Sequence, residues 1–202
     1  PNLMYEAPTT ESNEPKATKF LGSIGKAIYS LIETILVALV LAIVLYLFIM
    51  TPHEVVGNSM HPTYKNGEFL MANKITYRVS EPKRGDVIIF KYSDTADFIK
   101  RIIGVPGDEV MIKDGKIYIN GELLNESAYL DPSVITNGGS YLHEGQTIKL
   151  NEDEYFVCGD NRSNSSDSRD FAPIKKSAIK GKAWIVYYPF SEFRVVQHET
   201  YE

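Results

Sequence analysis

Residues 31–50 read LIETILVALVLAIVLYLFIM, a run that is apolar except for Glu33, Thr34 and Tyr46. Twenty helical residues at about 1.5 Å each span about 30 Å, the thickness of the hydrocarbon core of a bilayer. Glu33 lies in the first turn, from which its carboxylate can reach the interface. The run therefore predicts a single membrane-spanning helix, which we place at residues 27–50.

Two other interpretations of this run are less well supported. A buried core helix is seldom apolar on every side in a small soluble domain. A cleaved signal peptide would need a small-residue cleavage site, and Thr51-Pro52-His53 offers none after a run that is already long for such a peptide. A retained anchor is therefore the favoured interpretation.

Positive charge on one flank of the run sets its expected orientation. Three lysines lie within about 20 residues of the span, where the positive-inside rule counts them. They are Lys16, Lys19 and Lys26. The opposite flank, residues 51–64, contains no Lys or Arg. We therefore expect residues 1–26 to be a flexible cytoplasmic tail, with a single pass through the plasma membrane and the rest of the chain outside the cytoplasm.

After the anchor the pattern changes to short apolar runs separated by turn residues. Asp86–Lys91 and Lys116–Ile119 are examples, and the second is followed by Asn120-Gly121, a pair typical of tight hairpins. No helical period longer than about ten residues appears. Residues 51–202 are therefore predicted to form a mainly β domain, an antiparallel and barrel-like sheet, with residues 125–146 as a long loop or flap.

Composition and charge exclude several classes of function. The chain is 44% hydrophobic and 23% charged, as in ordinary folded proteins, and its net charge of −5 comes without a basic patch for nucleic acid. Its one cysteine, Cys158, excludes an intrachain disulfide. No histidine motif accompanies this cysteine, so we interpret it as an apolar filler of a strand rather than as a nucleophile. No cofactor is expected.

Two residues have the chemistry of a serine hydrolase. A serine hydroxyl needs a base to remove its proton, and a lysine serves if its pKa is lowered far enough from about 10.4 for it to be neutral. Ser59 lies in a turn rich in Gly and Pro, and Lys100 would share one face of a strand with Phe98 and Ile102. A lysine can also reach water from a strand edge, and these residues alone leave both interpretations open.

A polar segment follows the apolar run that ends at Cys158. Residues 159–169, GDNRSNSSDSR, are rich in hydroxyl, amide and charged side chains. By itself the segment is typical of a solvated loop. It lacks the alternating Asp residues and the final Glu of a calcium loop, so no metal site is expected.

Four segments together resemble the bacterial type I signal peptidases, the Ser-Lys leader peptidases. The segments are Gly57–Thr63 (GNSMHPT), Lys83–Val87 (KRGDV), Phe98–Asp108 (FIKRIIGVPGD) and Gly159–Arg169. Their order, their spacing and the preceding anchor all match, and the resemblance covers about residues 30–196. It implies a membrane-bound serine endopeptidase that removes N-terminal signal peptides from exported preproteins by cutting after small residues, in an Ala-x-Ala pattern.

The resemblance also implies a role for individual residues. Ser59 would be the nucleophile and Lys100 the general base. The residues that would contact the substrate are Val55, Met60, Asp97, Phe98 and Ile99. These side chains are mostly apolar, which suits shallow pockets for small residues.

Four polar residues would support the lysine. Ser165 matches the position whose hydroxyl orients Lys100. Asp160 and Arg169 match a supporting ion pair, and Asp167 matches a further polar support of the same loop.

The oxyanion hole departs from part of the family. Some members have a serine two places before the nucleophile, whose hydroxyl donates to the oxyanion, and here that place is Gly57. The oxyanion would then depend on backbone N–H groups around Gly57, Asn58 and chiefly Ser59.

Two other functions compete with this interpretation. Self-cleaving repressors use a related dyad, but they are soluble and carry a DNA-binding module that this chain lacks. A tethered, non-enzymatic β domain would not need an intact Ser59, Lys100 and Ser165. The expected partners are therefore signal peptides and the lipid bilayer, with no nucleic acid. The sequence leaves self-association open, with a monomer as the working expectation.

Overall fold

A computed structural model describes residues 16–201. The chain divides into a helical unit that ends at Leu45 and a β unit that begins at Tyr46. Helix α1 spans Lys16–Phe48, and its segment Gly22–Tyr46 is long and apolar enough to cross a membrane. The segment has no buried part, as expected of a helix whose apolar surface faces lipid.

The start of the helix differs from the predicted boundary. Helix α1 begins at Lys16, ahead of the position 27 given to the anchor, and it ends at Phe48 rather than at residue 50. Residues 1–15 of the predicted tail lie outside the described residues. Thr34, inside the helix, donates its hydroxyl hydrogen bond to the carbonyl of Ser30 at 2.8 Å, so this polar side chain is satisfied within the helix.

Within the described residues, two antiparallel sheets make up the β unit. The larger has eight strands in the order β1-β2-β11-β3-β4-β9-β10, with β12 paired to β11. These strands are β1 (Met50–Glu54), β2 (Phe69–Asn73), β3 (Val87–Lys91), β4 (Asp97–Gly104), β9 (Glu154–Cys158), β10 (Ile174–Lys175), β11 (Ile179–Tyr188) and β12 (Arg194–Val195). Short helical turns lie at α2 (Thr76–Val79) and at the 3₁₀ segments Lys176–Ala178 and Phe190–Glu192.

The smaller sheet has four strands in the order β7-β6-β5-β8. They are β5 (Glu109–Lys113), β6 (Lys116–Ile119), β7 (Glu122–Leu123) and β8 (Thr147–Lys149). Asn120 and Gly121 join β6 to β7 with φ angles of 53° and 83°, which are the positive angles of a type I′ turn. The predicted hairpin at this pair is confirmed.

Apolar layers lie on both faces of the larger sheet. Residues Val87, Ile88, Ile89 and Phe90 of β3 are fully buried, because β3 lies between β11 and β4 with both faces covered. Val87 and Ile89 pack in one cluster and Ile88 and Phe90 in another, as strand alternation requires. The prediction of a mainly antiparallel β domain after one apolar helix is confirmed.

The larger sheet bends so that its terminal strand β1 comes close to β4, a strand from the middle of the sheet. His53 Nδ1 on β1 lies 3.9 Å from Asp97 Oδ2 at the start of β4. No backbone pairing joins β1 to β4 among the described residues, so the sheet is open between them. This opening lies beside the turn that carries Ser59.

Candidate active site

Ser59 lies in the turn that connects β1 to β2. Gly57, at the start of this turn, has a φ of +92°, a backbone conformation that is strained for any residue with a side chain. Its N–H donates a hydrogen bond to Asn66 Oδ1 at 2.7 Å. This bond joins two residues of the same connection and so stabilises the conformation of the turn. The backbone itself thus favours glycine at this place, where some family members have serine.

Lys100 lies on β4 with its amine against the hydroxyl of Ser59. Its Nζ is 2.6 Å from Ser59 Oγ, although the two residues are far apart in the sequence. The side chain is only 3% exposed, and burial lowers its pKa from 10.5 to about 8, partly opposed by the negative charge of Asp167. The alternative of a lysine that reaches water from a strand edge is therefore wrong.

The prediction of an ion pair between Asp160 and Arg169 is wrong. Asp160 instead binds Arg101, with Nε–Oδ1 and Nη2–Oδ2 distances of 2.9 and 2.7 Å. Arg169 binds Asp167 in the same bidentate manner, at 2.8 and 2.9 Å. The reason is strand register, because β9 pairs Cys158 with Arg101 and so brings the loop after Cys158 over that arginine.

Comparisons with known proteins identify relatives of this chain. The family model described as signal peptidase, peptidase S26, matches residues 28–188, a span that includes most of the apolar segment Gly22–Tyr46 as well as Ser59 and Lys100. The chain belongs to this family. Signal peptidase IB of Staphylococcus aureus (strain COL) is 36% identical over 180 residues, which cover 84% of this chain and 94% of that protein.

Two further relatives are more distant. Probable signal peptidase I-2 of Synechocystis sp. (strain PCC 6803) is 34% identical over 164 residues, covering 78% of this chain and 72% of that protein. A crystal structure of a signal peptidase I from Enterococcus faecalis V583 is 29% identical, with a TM-score of 0.42, and covers 52% of this chain and 97% of that chain.

Ser165 makes no hydrogen bond to Lys100 in this structure. Its Oγ is buried and has no hydrogen-bond partner among the described residues. A Cβ atom at Gly159 would come within 2.2 Å of Ser165 Oγ and 2.3 Å of the Ser59 carbonyl oxygen. Glycine at 159 therefore lets the loop approach Ser59 closely. The role predicted for Ser165 stays a prediction.

Several residues that support the site were missed from the sequence. Thr63 donates a hydrogen bond to Asp160 Oδ2 at 2.6 Å and so connects the nucleophile turn to the loop after β9. Arg162 is fully buried and donates to Glu126 and, at 2.7 Å, to Thr136 Oγ1. These partners lie far apart in the sequence, and no local pattern marks them.

Residues 125–146, predicted to be a long loop or flap, are attached to the loop that follows β9. This segment supplies the two side chains that accept hydrogen bonds from Arg162, those of Glu126 and Thr136. The ring of Tyr129 packs on the Arg101 guanidinium, with 3.9 Å between the guanidinium carbon Cζ and the ring centre. Cation–π packing of this kind stabilises a buried arginine. The segment has turns but neither helix nor strand.

Three of the predicted substrate-contacting residues form one apolar wall. Val55 and Met60 are buried in a common cluster, and Ile99 packs against them. Phe98 lies on the other face of β4, stacked on Tyr92 with a centroid distance of 4.1 Å. Asp97 is paired at 2.7 Å with Lys180 and does not join the wall.

Part of one edge of strand β4, near Ser59, has no strand partner among the described residues. On one side it pairs with β3 from Asp97 to Arg101. On the other side its pairing with β9 begins only at Arg101, so residues 97–100 have no strand partner there within the described chain. An extended peptide can add to such an edge through backbone hydrogen bonds.

Cys158 fills a buried position on β9, as predicted. Its thiol is fully buried, and burial raises the pKa of that thiol well above its usual value, which disfavours the reactive thiolate. Among the described residues, no group of three or more His, Cys, Asp or Glu side chains is arranged to hold a metal ion.

Proposed function

We propose that this signal peptidase is a membrane-bound serine endopeptidase that cuts the signal peptides of exported preproteins after small residues. Ser59 is the nucleophile and Lys100 is the general base. The observation that carries the proposal is the 2.6 Å separation of Lys100 Nζ and Ser59 Oγ at a site that shields the amine from water. A desolvated amine is the form of lysine that can take a proton near neutral pH.

Catalysis proceeds in two steps. Neutral Lys100 takes the proton of Ser59 as Oγ attacks the scissile carbonyl, and the resulting ammonium then protonates the leaving amine. Water activated by Lys100 next hydrolyses the acyl-enzyme. The Ser59 N–H has no acceptor among the described residues, so it is available to stabilise the oxyanion in both steps.

The substrate binds as an extended strand along residues 97–100 of β4. Backbone pairing there places alternate side chains toward the wall formed by Val55, Met60 and Ile99. The wall is apolar, and its members Val55 and Met60 are almost fully buried, which suits small rather than large substrate side chains. Ser165 contributes its unpaired hydroxyl to orient Lys100 when the substrate excludes water from the site.

The proposed location is the plasma membrane, with the N-terminus cytoplasmic and the β unit outside. The lysines before the span support this orientation. Apolar side chains on the β unit would contact lipid. Phe190 is 81% exposed and Trp184 is 41% exposed, while Phe69 and Met71 are half-buried.

The orientation is tested in sealed right-side-out vesicles. Added protease should digest the β unit, and protection of that unit would contradict the orientation.

The catalytic assignment is tested by cleavage of a preprotein by the full chain in liposomes. Ser59→Ala and Lys100→Ala should abolish processing, whereas Lys113→Ala, which removes an exposed lysine, should leave it unchanged. Normal processing by Lys100→Ala would show that the assigned base is wrong.

The pH dependence gives a second test of the lysine. Because the neutral amine is the active form, kcat/KM should rise with pH and reach half its maximum near pH 8, the pKa of about 8 that burial gives Lys100. A midpoint near the free value of about 10.4 would mean that the lysine is not desolvated.

A further inference from the structure

One residue of the loop after β9 holds the backbone on both sides of the nucleophile. The N–H of Asn161 donates to the carbonyl of Ser59 at 3.0 Å. Its side-chain Nδ2 donates to the carbonyl of Asn58 at 2.9 Å. Two consecutive carbonyls of the nucleophile turn are therefore fixed by a single asparagine.

The second of these bonds bears on the oxyanion hole. The carbonyl of Asn58 and the N–H of Ser59 belong to one planar trans peptide, in which the two bonds point in opposite directions. A donor that fixes the carbonyl therefore also fixes the direction of the N–H. Accepting a hydrogen bond at the carbonyl further polarises the N–H, which strengthens it as a donor.

The orientation of the Asn161 amide is itself fixed. Ser163 Oγ donates to Asn161 Oδ1 at 3.3 Å, which leaves Nδ2 for the carbonyl of Asn58. That carbonyl also accepts the N–H of His61 at 3.1 Å, so it has two donors. Ser59 N–H, at the other side of the peptide, has no acceptor among the described residues.

We propose that Asn161 is a positioning residue that aims the N–H of Ser59 at the oxyanion. The proposal rests on the assignment of Ser59 as nucleophile. It matters in this chain because Gly57 has no hydroxyl to donate, so the oxyanion depends on backbone N–H groups. Loss of a whole oxyanion donor costs about 10²- to 10³-fold in kcat, and loss of its alignment should cost part of that.

Two variants of the full chain test this role in liposomes with a cleavable preprotein. Asn161→Ala removes the side chain, and Asn161→Asp keeps its shape but cannot donate from the Nδ2 position. Both retain the backbone bond to the Ser59 carbonyl. Asn164→Ala is the matched control, because Asn164 is exposed in the same loop and its side chain makes no hydrogen bond to the nucleophile turn.

We expect both Asn161 variants to lose about 10- to 50-fold in kcat with KM within about twofold of wild type. The affinity of a small-residue peptide aldehyde, whose adduct with Ser59 carries the oxyanion, should fall by the same factor. The midpoint of the pH–rate profile of Asn161→Ala should not move, because Lys100 keeps its surroundings. A role limited to packing would instead raise KM or shift that midpoint.

Each other outcome overturns a defined statement. If Ser59→Ala still cleaves the preprotein, the proposed function fails. If Ser59→Ala is inactive but both Asn161 variants match Asn164→Ala in kcat and aldehyde affinity, only the role of Asn161 fails. A changed KM at constant kcat also overturns it. If Asn161→Ala does not fold, the isosteric Asn161→Asp decides the question by the same measurements.

Discussion

The burial of Lys100 should make the protein less stable than a variant without the amine. Burial lowers the pKa of this lysine from 10.5 to about 8. That pKa difference of about 2.5, at about 1.36 kcal/mol for each pKa unit, corresponds to about 3 kcal/mol. Below pH 8 the lysine is charged in both states, so the folded protein carries the whole cost. Between about pH 8 and 10.5 the unfolded chain binds a proton that the folded protein lacks, and stability therefore rises with pH.

The substitution Lys100→Met removes the amine and keeps an unbranched side chain of similar length. The variant should be inactive, and at pH 7 its free energy of unfolding should exceed that of the wild type by up to about 3 kcal/mol. For a domain of this size such a gain corresponds to a rise in Tm of about 6–12 °C. Near pH 10.5 the advantage should fall below about 1 kcal/mol, because the wild-type lysine is then neutral in the folded protein and about half neutral in the unfolded chain.

Denaturant unfolding of the full chain in detergent micelles, followed by tryptophan fluorescence at several pH values, measures this difference. Trp184 is the single tryptophan of the chain and lies on β11, so its emission reports the β unit. Lys113→Met, at an exposed position, is the control and should not change stability with this pH dependence. If Lys100→Met is no more stable than the wild type at pH 7, or if its advantage does not shrink toward pH 10.5, the lysine is not desolvated and the reasoning fails.

Three further substitutions probe the surroundings of the dyad. Asp160→Asn leaves Arg101 buried without its ionic partner, so the free energy of unfolding should fall by about 3–5 kcal/mol. A denaturant titration measures this loss, and a loss below about 1 kcal/mol would contradict the pairing. Asp167→Asn removes the carboxylate that raises the pKa of Lys100, so the midpoint of the pH–rate profile should move below pH 8. A midpoint that moves above pH 8 would contradict this effect of Asp167. Gly57→Ala forces a side chain onto a φ of +92° and should cost about 1 kcal/mol or more by thermal unfolding, together with a lower kcat; an unchanged Tm would contradict the strain.

The sequence by itself determined the features that depend on neighbouring residues. The apolar run before Met50 predicted the helix, because the number of consecutive apolar residues fixes what can cross a bilayer. The positive φ angles of Asn120 and Gly121 follow from residue types that tolerate them, and the hairpin there is confirmed. Motif order also singled out Ser59 and Lys100, since each motif is a local string, and the structure brings their side chains within 2.6 Å of each other.

Only the tertiary structure decided which of these residues meet. Arg101 and Arg169 were equally available to Asp160 in the sequence, and the register of β9 on β4 selected Arg101. The lowered pKa of Lys100 likewise results from burial by segments that are far away in the sequence, and no local sequence pattern indicates that burial. Asn161 acquires its contacts with the nucleophile turn for the same reason: strand pairing and loop packing bring together residues whose separation along the chain carries no information about their distance in space.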